Sequence, residues 1–214
     1  MKRTNIFIIL FLGFSLMLQA NEGMWMPSLL GKYTLTEMEK AGFRLSKEDI
    51  YNINEASLKD AILGMASSSS PTSFFGTASF ISETGLAITN HHLGLKYIQN
   101  HSTTARNYVR DGFLAASPEE ELPAENMTLA RLVRIDDVTE EITEGFENMA
   151  PGQQDYLLNE RGKELASRNN EDGKYKVVIK SYFSGNQYFM EVYEFFNQVK
   201  IVAIPPMSVA KFGG

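Results

Sequence analysis

The chain has 214 residues, 43% hydrophobic and 21% charged, which excludes intrinsic disorder and provides enough apolar material for a core. A formal net charge of −6 excludes nucleic acid and anionic membrane surfaces as main partners, because phosphate binding requires clustered Lys and Arg. The chain has no cysteine, so disulfides, a thiolate nucleophile and a cysteine-based zinc site are excluded as well.

In chain order, Lys2 and Arg3 form a short basic region, Ile6 to Leu18 an apolar run, and Ala20 a small residue before polar Asn21-Glu22-Gly23. That order predicts a secretory signal peptide over 1–20 and a mature chain from 21 onward. The apolar run is shorter than the roughly 20 residues a membrane span needs, although an uncleaved anchor is the alternative. Leu18 is bulkier than usual three positions before the cut. Removal of Lys2 and Arg3 leaves the mature protein more acidic still.

Thr36-Glu37-Met38-Glu39 has the form of a capping box, predicting a short helix to about Lys40 closed by Gly42. Ser57-Leu58-Lys59-Asp60 predicts a second helix running through Met65, and Ser67 to Pro71 a loop. Phe74 to Ile81 and Leu86 to Thr89 read as strands joined by the turn Ser82-Glu83-Thr84-Gly85. A helix is expected from Leu93 to Gln99. Met127 to Ile135 alternates loosely as a strand, and Gly152 to Asn169 has helical spacing at Tyr156, Leu157, Leu158 and Leu165. Strands follow at Tyr175 to Phe183 and Tyr188 to Phe196, joined by Ser184-Gly185-Asn186, and at Lys200 to Ile204 before Pro205-Pro206. The expected fold is mainly β with helical additions, and the glycine pair at Gly213-Gly214 reads as a turn that leads onward.

Chemistry concentrates at Gly85-Leu86-Ala87-Ile88-Thr89-Asn90-His91-His92, where a short strand delivers a histidine to its end. A neutral imidazole held there is suited to take a proton from a serine hydroxyl, given a carboxylate that orients the ring. Two bland alternatives stand beside it: a histidine pair that merely caps a turn, or a metal site built from His91, His92 and His101. Adjacent histidines on extended chain point to opposite faces, which disfavours the metal. The aromatic hairpin with Tyr175, Tyr182, Phe183, Tyr188, Phe189, Tyr193, Phe195 and Phe196 reads as core and edge packing. Glu119-Glu120-Glu121 reads as a solvated turn, and Asn100-His101-Ser102 and Asn126-Met127-Thr128 are weak glycosylation patterns.

Four groups of residues carry a resemblance. They are Glu22-Gly23-Met24-Trp25; the stretch Gly76-Thr77-Ala78-Ser79-Phe80-Ile81-Ser82-Glu83-Thr84 running into Gly85–His92; Tyr108-Val109-Arg110-Asp111-Gly112-Phe113 with Glu119-Glu120-Glu121-Leu122-Pro123; and Leu132-Val133-Arg134-Ile135-Asp136-Asp137-Val138-Thr139 with the closing Phe212-Gly213-Gly214. In these the chain resembles the N-terminal region of the dipeptidyl-peptidase 7 and dipeptidyl-peptidase 11 family of bacterial serine exopeptidases. The resemblance implies a chymotrypsin-like double β-barrel, present here only in part, and without the helical domain the family inserts later. It implies removal of dipeptides from peptides with free N-termini, export to the periplasm or beyond, a possible homodimer in the full-length form, no cofactor and no metal. It assigns the general base to His92, with His91 as a structural neighbour.

Two departures stand out. The family usually has cysteine where this chain has Leu93, and another near Phe75 or Gly76; both are missing together, a coherent loss of a disulfide. The resemblance also places the catalytic aspartate and serine beyond Gly214. Asp111, Asp136, Asp137, Asp155 and Asp172 read as solvated or structural, and Ser184 lacks the glycine-flanked setting of a nucleophile. The chain on its own is therefore expected to be an inactive part of a serine-type dipeptidyl peptidase. The alternatives are a secreted β-rich binding or scaffold protein without catalysis, and a chymotrypsin-like endopeptidase.

Overall fold

The computed structural model describes residues 26–210, which fall into two compact units, one ending at Lys47 and one beginning at Glu48. The expected signal peptide, Glu22 to Trp25 and Phe212-Gly213-Gly214 lie outside the described residues. In the first unit a helix spans Leu35–Lys40. Its N-cap is Thr34, not Thr36, which lies inside the helix, so the Thr36–Glu39 box is not formed. Gly42 closes the helix as expected: at φ +101 its N–H donates to the Glu39 carbonyl and Phe43 N–H to that of Met38, a conformation that glycine adopts without strain.

The second unit is built on a six-stranded antiparallel sheet. Its strands are β1 (Ile62–Ser67), β2 (Ser70–Phe80), β3 (Ala87–Thr89), β6 (Met127–Asp137), β7 (Lys176–Tyr182) and β8 (Gln187–Phe196), in the order β3-β2-β1-β6-β8-β7. Two small ladders stand apart from it: β4 (Phe113–Leu114) pairs with β10 (Ala203–Ile204), and β5 (Leu122–Pro123) with β9 (Lys200–Ile201). The fold is mainly β with helical additions, in agreement with the sequence reading.

The largest departure from the sequence reading is at β1, and its reason is tertiary. The helix expected through Met65 stops after Leu58–Ala61, where Ser57 N–H donates to Asp60 Oδ2 at 3.0 Å. Residues Ile62–Ser67 instead form β1, laddered on one side to β2 and on the other to β6. Leu63, Met65 and Ala66 are 0%, 2% and 0% exposed. Two full ladders and burial on both faces outweigh the mild helical propensity of Leu58 to Met65. The strand also needs Gly64, because the Phe74 ring lies over it: a Cβ there would sit 2.6 Å from Phe74 Cδ1. The loop expected through Pro71 ends early, since β2 begins at Ser70. The single strand expected over Lys200 to Ile204 is two short ladders, β9 and β10, facing different partners.

Side chains alternate along β8. Phe196 joins a core cluster with Leu63, Met65, Ala78, Met127 and Leu129, capped by Leu93 and Tyr97 of the helix His91–His101. Met190 and Val192, on the same face by alternation, join a second cluster with Val177, Ile142 and Leu165, the last from the helix Pro151–Asn169. The opposite face carries Phe189, Glu191 and Tyr193. There Phe74 of β2 meets Tyr193 of β8 edge to face at 5.4 Å, although two strands lie between them in the sheet order, so the sheet is strongly coiled. Among the described residues no helix is long and apolar enough to cross a membrane.

Candidate functional site

The β2–β3 hairpin is set by its turn. Gly85 adopts φ +90, Ser82 Oγ accepts from Leu86 N–H at 2.9 Å, and Ile81 N–H donates to the Leu86 carbonyl at 2.8 Å. The register Phe80↔Ala87, Ser79↔Ile88, Ala78↔Thr89 then carries the chain to Asn90. Thr89 Oγ1 donates to the Thr77 carbonyl at 2.6 Å, which ties the end of β3 to β2. The following helix begins at His91, two residues earlier than expected. Leu93 and Tyr97 are four residues apart and both pack into the first core cluster, so this helix is committed from its first turn.

His91 and His92 are therefore the first two residues of a helix, about 100° apart around its axis, and not opposite faces of a strand. His91 is half-buried and His92 is exposed. His92 makes no hydrogen bond to another described residue. His101 lies at the far end of the same helix, about 15 Å along the axis, where its Nε2 sits 2.8 Å from the Pro123 carbonyl oxygen. The structure thus separates His101 from the pair, and among the described residues no group of three His, Asp or Glu side chains is placed to hold a metal ion.

Leu93, directly after His92, lies against Gly76 of β2. A Cβ built on Gly76 would stand 2.5 Å from Leu93 Cδ1 and 2.9 Å from Cδ2. The resemblance implies a missing cysteine pair at Leu93 and near Phe75 or Gly76, and here the leucine methyls fill the space over Gly76.

Three of the aspartates passed over in the sequence are engaged by residues other than His92. Asp111 is exposed and forks with Arg110 through two 2.7 Å bonds, which hold its carboxyl below the usual range. Asp136 pairs with Arg134, and Asp137 accepts from Thr139 N–H at 3.0 Å. Asp155 and Asp172 are exposed. Ser184 sits at φ +59 in the β7–β8 turn. The glutamate run is only partly a solvated turn: Glu120 accepts from Ala116 N–H at 2.9 Å, and Glu121 is half-buried, 3.3 Å from Lys200.

Sequence reasoning missed one titratable cluster. Glu191 is only 4% exposed, on β8. Its Oε1 accepts from Tyr182 OH at 2.5 Å, its Oε2 from Tyr193 OH at 2.7 Å, and Lys180 Nζ lies 2.6 Å from Oε2. The Lys180 ammonium also lies 5.7 Å and 5.8 Å from the Phe74 and Tyr193 ring centroids. Burial first, and the Glu191 carboxylate next, push both tyrosine hydroxyls above their ordinary value of 10.0. The one signal in the sequence was a lone carboxylate between apolar neighbours, Met190-Glu191-Val192, in an aromatic strand. Both tyrosine hydroxyls and one contact of the Lys180 ammonium are directed at the carboxylate.

The chain is similar to dipeptidyl-peptidase 7 of Capnocytophaga gingivalis, 38% identical over 92% of this chain and 27% of that relative. It is similar to the Asp/Glu-specific dipeptidyl-peptidase of Flavobacterium psychrophilum, 36% identical over 100% of this chain and 29% of the relative. Among solved structures, Porphyromonas endodontalis DPP11 in complex with dipeptide Arg-Glu matches with TM-score 0.73 and 31% identity, over 88% of this chain and 28% of that one. The chain thus spans under a third of the length of the curated relatives it matches. The family described as peptidase S46 matches residues 20–214, and the chain belongs to that family.

Proposed function

We propose that this chain supplies the general base, His92, of a serine-type dipeptidyl peptidase that removes dipeptides from free peptide N-termini. The observation that supports this reading is the exposed imidazole at a strand-to-helix junction tied down on both sides, in a peptidase S46 chain. His92 takes the proton of a serine hydroxyl as that oxygen attacks the scissile carbonyl, and returns it to the departing amine. An aspartate orients the ring and offsets the imidazolium charge. In this proposal the aspartate and the serine lie beyond Gly214, and the protein is exported after loss of residues 1–20. The 214-residue chain alone does not turn over peptides, because an isolated base has no nucleophile to activate.

The test is dipeptide release from unblocked reporter peptides by the product of the whole gene. His92→Ala is expected to abolish it. Undiminished release by that variant contradicts the proposal. Cleavage of N-terminally blocked peptides would point instead to an endopeptidase. Turnover by pure 214-residue material that a serine-directed inhibitor stops would refute its predicted inactivity.

A further inference from the structure

We infer that Leu93 and Gly76 form a positioning pair that fixes the direction of His92, an inference that rests on the reading of His92 as the base. Gly76 does not take a positive φ, so its own backbone does not demand glycine. The demand comes from Leu93, whose two methyl carbons would stand 2.5 and 2.9 Å from any Cβ at position 76. Overlap of that size forces movement of a side chain that is itself packed against the core cluster of Leu63, Met65 and Tyr97.

The neighbouring residue on β2 makes the second anchor. The Thr77 carbonyl accepts the Thr89 hydroxyl at 2.6 Å. Residues 89 and 93, which bracket Asn90-His91-His92, therefore land on consecutive residues of one strand. The bracketed segment cannot swing without breaking a hydrogen bond at one end or unseating a packed leucine at the other. His92 makes no hydrogen bond of its own to a described residue, so these two anchors set where its Cα–Cβ bond points. A noncovalent wedge thus holds the histidine in a chain that has no cysteine to do so.

The experiment uses the whole gene product. Leu93→Ala empties the wedge and Gly76→Ala displaces it. Each is expected to lower kcat for dipeptide release by about 10- to 100-fold, with KM within about twofold, since small misplacement of a catalytic group costs rate far more than binding. Leu93→Met should restore most of the rate. Gly76→Ala with Leu93→Ala should lie closer to wild type than the two losses multiplied, because the added methyl partly fills the emptied space. A readout independent of turnover is the imidazole Cε1–H NMR signal of His92, which should move in both single variants while that of His101 stays in place. If Leu93→Ala does not fold, Leu93→Val and Gly76→Ala give the same reading. Unchanged kcat and an unmoved His92 signal in folded variants overturn the inference. Loss of activity in His92→Ala with full kcat in Leu93→Ala removes the positioning pair alone, whereas full activity in His92→Ala removes the base on which it rests.

Discussion

Glu191 and His92 are both titratable side chains on or beside the same sheet, and they are built in opposite ways. Glu191 is buried, with two tyrosine hydroxyls and an ammonium all directed at its carboxylate. His92 is exposed, bonded to no described residue, and held only through its neighbours Thr89 and Leu93. A group whose hydrogen-bonding capacity is spent inside the protein contributes to folding and has little left for a substrate. A group that is anchored through its backbone, with its ring uncommitted, is the better candidate for chemistry. The contrast teaches that burial of a charged group, with its partners turned onto it, does not by itself make that group available to a substrate.

The comparison can be broken from the Glu191 side first, where the effects on stability are largest. Glu191→Ala leaves the Lys180 ammonium without its partner and strands the buried Tyr193 hydroxyl and the half-buried Tyr182 hydroxyl. It should cost about 3–5 kcal/mol in denaturant unfolding; a loss under about 1 kcal/mol would mean the cluster contributes little to folding. Lys180→Met keeps the hydrophobic stem but removes the charge, and should cost less, about 1–3 kcal/mol.

Alkaline titration sharpens the same side. Folded Tyr182 and Tyr193 hold their protons above the ordinary value of 10.0, mainly through burial and then through Glu191. The unfolded chain releases these protons near 10, and the folded chain does so only at higher pH. This contribution to stability is thus fully present below about pH 10 and is lost as pH rises beyond it through the raised native values. Tyr182→Phe should flatten that alkaline decline, followed as the urea midpoint against pH, and an unchanged slope would count against the coupling. The smallest effect belongs to His92: His92→Ala should change unfolding free energy by less than about 0.5 kcal/mol. A larger loss would place the ring in the structure of the fold and weaken its reading as a free base.

Legibility in the sequence followed the range of the forces involved. The β2–β3 and β7–β8 hairpins were readable because Gly85 and Ser184-Gly185-Asn186 carry local turn signals, and Gly85, Ser184 and Gly185 do take positive φ. The helix Pro151–Asn169 was readable because its apolar spacing is its own. β1 was not, because Leu58 to Met65 fits a helix until the ladders of β2 and β6 claim it. The two-residue ladders β4–β10 and β5–β9 have no pattern long enough to read. At the candidate site, the place of His92 after a strand was legible, whereas the helix start at His91 depends on Leu93 and Tyr97 finding the core. The Glu191 cluster needed Tyr182 and Lys180 from the neighbouring strand, a pairing no single stretch of sequence reveals.

The most direct test of the central claim is the rate of dipeptide release by the whole gene product with His92→Ala, at a temperature where variant and parent melt alike. The account predicts that release falls to the level of a blank while the melting transition stays in place. Release at the parent rate from a folded His92→Ala protein would contradict it.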